Sequence, residues 1–221
     1  MKRTITILLF CGIFGAVSAQ SDLPDKAFLA FLHGGYGTIP AKTSGLTITS
    51  EDYQKDLSSG GAWNLQAYFR SKMFIVGLLY AGYTSSGSTE SYVAPGLSGG
   101  LRTSDKLLTT YIAPQLGMNI PVAEKFDIGW NAGFGGLWLK NAGEINGKPR
   151  TLQGSTFAVD LAARGVYNIT KNLGISAEIM YILGNLTRTN LNYHDKDYKI
   201  NNLDQVSASQ LTFSLGLKCS F

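Results

Sequence analysis

This 221-residue sequence predicts an all-β fold, an eight-stranded antiparallel up-and-down transmembrane β-barrel, and three observations predict it. The first is period-two alternation of apolar and polar residues in one segment after another, the pattern of strands whose side chains point to opposite faces. The second is spacing: eight such segments are joined by connectors of about 24, 2, 21, 5, 16, 5 and 22 residues, the long and short loops expected of the two rims of a membrane barrel. The third is the leader. Lys2 and Arg3 precede an apolar run from Ile5 to Val17 and the small-residue site Val17-Ser18-Ala19, which is the layout of a secretory signal peptide. No later apolar run reaches the roughly 20 residues of a membrane helix. The longest, Met73 to Tyr83, suits a tilted membrane strand instead.

The segments follow in order. Lys26 to Gly37 is the first strand. In the second, Ala62 to Arg70, Trp63, Leu65, Ala67 and Phe69 alternate with Asn64, Gln66, Tyr68 and Arg70. The third, Met73 to Thr84, is apolar on both parities, so either face can meet lipid. The fourth, Lys106 to Ile120, contains Pro114, which cannot donate a ladder hydrogen bond and should mark a bulge or a local break in pairing. The fifth, Phe126 to Leu139, sets Phe126, Ile128, Trp130, Ala132, Phe134 and Trp138 against Asp127, Gly129, Asn131, Gly133 and Gly135. Thr156 to Tyr167 and Leu173 to Leu183 repeat the pattern, and Val206 to Phe221 closes the chain. Aromatic residues gather at both predicted rims, with Phe69, Phe126, Tyr167 and Phe221 at the short-turn end. Tyr36, Trp63, Trp138 and Phe157 lie at the long-loop end, as interfacial girdles require.

Without Lys2 and Arg3 the chain carries 17 basic and 15 acidic residues, a balance that gives no footprint for nucleic acid. Cys219 is the one cysteine beyond the leader, so no internal disulfide can form. Cys11 lacks the preceding small residue of a lipidation site and lies inside the apolar run.

Eight strands leave a bore that side chains can fill, which argues against a general diffusion pore. By parity the inward charges are Arg70, Asp127, Asp160, Arg164, Glu178 and Lys218, expected to form a polar network in the lumen. On the lipid face a central Arg or Lys would cost about 2–4 kcal/mol. The short turn at Thr170 and Lys171 predicts Arg164 opposite Glu178. No catalytic or metal site is expected, and no cofactor. Gly96-Leu97-Ser98-Gly99-Gly100 matches a nucleophile elbow but has no strand-turn-helix context. His194-Asp195-Lys196-Asp197 offers one imidazole and loop carboxylates, a poor metal site. His33 falls on the inward parity near the outer end of the first strand. A lipid-modifying enzyme would require it beside a serine and a carboxylate at the outer rim.

A chain that ends as the alternating strand Leu211 to Phe221 resembles the closing strand of bacterial outer-membrane barrels, in which the terminal aromatic is part of the insertion signal. Tyr111-Ile112-Ala113-Pro114, Gln115-Leu116-Gly117 and Trp130-Asn131-Ala132-Gly133-Phe134-Gly135-Gly136 resemble the fourth and fifth strands of the small Bacteroidetes-type outer membrane β-barrel family. The resemblance implies a Gram-negative outer membrane, termini in the periplasm, Phe221 as insertion signal, and no reaction. It divides the chain into a cleaved leader, 1–19, a short periplasmic N-terminus, 20–25, and the barrel domain, 26–221. The expected partners are outer-membrane lipids, the insertion machinery during biogenesis and, in one version, a larger outer-membrane protein. The expected role is non-enzymatic, through the long extracellular loops or as an accessory subunit, with a lipid A deacylase-like enzyme or a narrow channel as the competing readings.

Overall fold

The computed structural model describes residues 26–39, 51–92, 101–145, 147–193 and 196–221. The leader, the Gly96–Gly100 motif, His194 and Asp195 lie outside these residues, and the side chains of Lys196 and Asp197 are likewise not described.

The strands are β1 (Lys26–Thr38), β2 (Ser59–Ser71), β3 (Phe74–Tyr92), β4 (Leu101–Ala123), β5 (Phe126–Ile145), β6 (Lys148–Asn168), β7 (Leu173–Leu183), β8 (Asn185–Tyr193), β9 (Lys196–Ser207) and β10 (Gln210–Ser220), with helix α1 (Glu51–Ser58) between β1 and β2. Each of β1 to β6 pairs with its successor, β7 pairs with β10, and β10 returns to β1, so eight antiparallel strands close into a ring. Closure removes every sheet edge within the ring, the condition for crossing a lipid bilayer with strands.

Alternation carries the fold. On β3, Phe74, Val76, Leu78 and Tyr80 are exposed while Ile75, Leu79, Ala81 and Tyr83 are buried, which settles the face that apolar composition leaves open. All eight residues of the two expected aromatic girdles point outward. Pro114 faces Leu78 in the β3 ladder, whereas the β4–β5 ladder lapses between Ile112 and Gln115 and resumes in the same register. The β2–β3 turn holds Lys72 at φ 55°, the left-handed geometry of a two-residue hairpin.

The long connectors differ from expectation. Strands β3 to β6 run 19 to 23 residues against the 13 of β1 and β2, so most of what composition suggests as loop is ladder continuing past the ring. The expected loop Gly184 to Gln205 is mainly the β8–β9 hairpin, and the expected strand Val206 to Phe221 is interrupted between Ser207 and Gln210. The physical reason lies at Gly184, where a Cβ would meet Leu137 Cδ2 at 2.7 Å; here β7 leaves β6, and β8 rejoins it only at Gly154. Among the described residues the wall is therefore taller at β3 to β6 and at the β8–β9 hairpin than at β1 and β2, and α1 lies against the inner side of β3 and β4.

Inside, one buried apolar cluster, including Leu79, Tyr83, Leu107, Leu137, Met180 and Ile182, fills the long-loop half. A smaller one, Ala27, Leu29, Phe31, Tyr68, Ile75 and Val166, lies toward the short-turn half. Polar side chains lie between and beside them.

Candidate functional site: the polar lumen and its mouth

Arg164 is the hub of the lumen. Its guanidinium lies over the Phe31 ring at 4.0 Å and over Tyr68 at 5.2 Å, a cation held between two aromatic faces. Nη1 donates to Gln66 Oε1 at 2.7 Å, Nη2 donates to Asn131 Oδ1 at 2.8 Å, and Glu178 Oε2 is 3.9 Å from Nη1. Arg164 and Glu178 are direct partners in the β6–β7 ladder, as the turn at Thr170 predicts. Gln66 Nε2 also donates to both Glu178 oxygens at 2.9 Å, so neither carboxylate oxygen is left dry.

The network continues to both sides. Asn131 donates to Gln115, which donates to Asp160 Oδ1 at 2.7 Å, and Tyr111 OH donates to the same oxygen at 2.8 Å. Gly133 is required there, because a Cβ on it would collide with Gln115 Nε2. In the other direction His33 Nδ1 donates to Asn64 Oδ1 at 2.9 Å while Asn64 Nδ2 donates to Glu178, which fixes the tautomer and leaves Nε2 to accept from Ser176 Oγ at 2.7 Å. Hydrogen bonds thus run unbroken from Ser176 on β7 to Tyr111 on β4. Nearer the short-turn end, Lys218 Nζ donates to Asn168 at 2.7 Å and to Asp127 at 3.2 Å.

All six parity-selected charges, Arg70, Asp127, Asp160, Arg164, Glu178 and Lys218, are buried in this interior. They comprise three cations and three anions, so the lumen is neutral when His33 is neutral, and side chains occupy its cross-section. The neutral members, Asn64, Gln66, Gln115, Asn131 and Ser176, share the same inward parity, a signal that attention to charge alone passes over.

His33 does not lie near the outer rim. It is buried mid-strand against Ser176, three residues from the short-turn end of β7, because strand tilt brings the middle of β1 level with the start of β7. A serine and a carboxylate are in reach, with Glu178 at 3.8 Å from Nδ1, but deep in the barrel.

At the mouth, α1 folds inward. Tyr53 and Leu57, one turn apart, are its buried residues. Tyr53 OH donates to Asp105 on β4, which also accepts from Arg150 of β6 at 2.5 Å. The last-turn carbonyl of Leu57 accepts from Ser85 Oγ at 2.7 Å. Burial pushes the Asp105 carboxyl up from its ordinary range, and the Arg150 guanidinium opposes that shift. Tyr53 is thus a tether for the lid and is not displayed to solvent, unlike Asp52, Lys55 and Asp56. At the other end Phe221 exchanges backbone hydrogen bonds with Phe28 at 2.9 and 3.1 Å, their rings 6.2 Å apart on the outer surface.

The family described as outer membrane protein beta-barrel domain matches residues 6–221 of the chain. Among solved structures, a major outer membrane protein of Thermus thermophilus is similar at 12% identity and TM-score 0.60, over 89% of this chain and 99% of that one. Outer membrane protein OprG of Pseudomonas aeruginosa is similar at 15% identity and TM-score 0.52, over 89% and 97%. The outer membrane protease OmpT of Escherichia coli is similar at 12% identity and TM-score 0.50, over 93% and 100%. At these identities the likeness is one of fold. No curated protein matches the sequence significantly.

Proposed function

The chain belongs to the outer membrane protein beta-barrel domain family and resides in the bacterial outer membrane, and from that premise we propose that it is a non-enzymatic surface protein whose extramembrane wall and α1 bind a ligand or another surface. The observation that carries this reading is the contrast between a filled bore and a built exterior. A membrane strand needs about 9–11 residues, whereas β4 has 23 and β6 has 21. The surplus forms a rigid ladder above the lipid, where binding residues are held by a scaffold. Among the described residues the bore is crossed by buried, hydrogen-bonded side chains, which speaks against the channel reading.

Mild-detergent extraction of the tagged protein, followed by mass spectrometry and a heat-modifiability gel, is expected to return a heat-modifiable monomer without a stoichiometric partner. Stoichiometric recovery of a larger outer-membrane protein would instead make the barrel an accessory subunit.

One observation favours a second, enzymatic reading: Ser176, His33, Asn64 and Glu178 form the hydrogen-bond chain of an activated nucleophile. Against it, Ser176, His33 and Glu178 are all buried, away from any acyl substrate in solvent. The folded barrel in vesicles is expected to resist labelling by a fluorophosphonate probe. Labelling that disappears in Ser176→Ala would reverse this and make the protein a hydrolase.

A further inference from the structure

Lys106 of β4 and Lys140 of β5 lie side by side on the outer face of the barrel, one step above its apolar band. We infer that together they hold the phosphate of an outer-leaflet lipid headgroup, a phosphomonoester, while the acyl chains of that lipid lie against the wall below.

The level of the two ammonium groups follows from the strands that carry them. On β5 the outward residues are apolar or glycine from Phe126 to Trp138. At about 3.3 Å per residue and a tilt near 40°, that stretch rises about 30 Å, the thickness of the hydrocarbon core. Lys140 is the next outward side chain and so stands among the headgroups. On β4 the last outward apolar residue is Leu108, and Lys106 follows it. A lysine is costly on the lipid face at the midplane and costs little at the interface, where its stem lies along apolar surface and its charge meets water. The corresponding residues of β1, β2, β3 and β6 are Thr38, Gly61, Gly82 and Ser155, all uncharged, so the positive charge occupies one sector of the wall.

In the β4–β5 ladder Leu108 pairs with Lys140 and Lys106 with Ala142. The lysines are therefore diagonal neighbours on one face, their backbones about 7–8 Å apart, and two flexible stems close that spacing onto one phosphate. Both are exposed, and neither makes an ion pair or hydrogen bond with a described residue. Glu144 lies on the other diagonal from Lys106, a rung farther from the lipid, and Arg102 on the same face matches it in charge, which leaves the surplus of positive charge at the lysines. A phosphomonoester carries about 1.5–2 negative charges at neutral pH, against one for a phosphodiester, so the pair favours the monoester. Below, a Cβ on Gly136 would meet the Trp138 ring at 2.5 Å, so the indole lies back over Gly136 on the membrane side and leaves Lys140 uncovered. Trp138, Leu108 and Ile112 offer exposed apolar surface to an acyl chain.

The test is tryptophan quenching by lipids with brominated chains, read on the full-length barrel in phosphatidylcholine vesicles. Trp63→Phe/Trp130→Phe leaves Trp138, beside the lysines, as the only tryptophan. Brominated phosphatidic acid, a phosphomonoester, is the probe, with brominated phosphatidylglycerol as the phosphodiester control and brominated phosphatidylcholine as the reference. Trp138 is expected to prefer phosphatidic acid to phosphatidylcholine by about fivefold for each lysine, the effect of one cation near an anionic lipid surface. The preference for phosphatidylglycerol is expected to be smaller. Each of Lys106→Gln and Lys140→Gln lowers the phosphatidic acid preference, and the double variant removes it. Unchanged heat modifiability will show that these surface variants fold. A barrel that keeps only Trp63, on β2, is expected to show no preference. The assignment is overturned if Trp138 shows no preference, if the double lysine variant retains it, if Trp63 shows it equally, or if phosphatidylglycerol matches phosphatidic acid. Loss of the preference in millimolar inorganic phosphate would also overturn it, in favour of a site for the free anion.

Discussion

Arg164→Met is expected to destabilise the folded barrel by about 3–5 kcal/mol, the cost of leaving one member of a buried ion pair without its partner. Methionine keeps much of the volume between Phe31 and Tyr68, so the loss reports charge more than packing. The exposed cost falls on Glu178, buried and then held only by neutral amides. Arg164→Met combined with Glu178→Gln is therefore expected to be more stable than Arg164→Met alone, because the two sites are coupled. Urea unfolding in lipid vesicles, followed through the outward-facing Trp63, Trp130 and Trp138, measures both. A single-variant loss below about 1 kcal/mol would mean that water reaches Glu178 and that the bore is wetter than its packing indicates.

Gly35→Val is expected to impair closure of the ring, with a loss of at least about 1–3 kcal/mol and a smaller heat-modifiable fraction. A Cβ at Gly35 would overlap Phe213 O and stand 2.6 Å from Ser214 Cα, backbone atoms of β10 that cannot rotate away. The β1–β10 ladder joins the two ends of the chain, the pairing with the greatest loop-closure cost, so interference there acts on the slowest step of assembly. Gly34→Val is the matched control: one residue away it points to lipid, and its Cβ meets nothing within 4 Å. Equal behaviour of the two variants would remove the seam from the argument.

The membrane-embedded part of this fold was open to reading because the bilayer imposes one rule on every strand. Trp63, Leu65 and Phe69 point out, and Asn64, Gln66 and Arg70 point in, for the same reason at each rung. The Arg164–Glu178 register followed from a short turn and period-two counting. Above the lipid that rule lapses, since neither face of the ladder needs to be apolar. Residues such as Thr103, Ser104, Asp105, Arg150 and Gln153 therefore resemble loop composition although they are strand. A signal was present in Asn146-Gly147, the dipeptide suited to a two-residue hairpin turn, and Gly147 has φ 73°. Counting outward from it would have lengthened β5 and β6. The depth of His33 was not readable, because strand tilt sets which residues share a level and tilt depends on the closed ring. Nor did spacing reveal that Tyr53 reaches Asp105, a contact between residues far apart in the chain.

The low stretch over β1 and β2 gives the protein a compass bearing. In ladder register β2 ends at Ser59 opposite Ser86 and Lys106, and β4 runs five residues further, to Leu101; at about 3.3 Å each along a strand tilted near 40°, the described rim is roughly 13 Å lower on that side. A level rim would admit a visitor equally from all directions; here, among the described residues, the ladders of β3 to β6 and the β8–β9 hairpin rise on the other sides and β1 and β2 end lower. Rotation of the barrel about the membrane normal, which is irrelevant to a symmetric pore, therefore decides which neighbour in a crowded bilayer, or which chain of the surrounding surface coat, reaches the mouth.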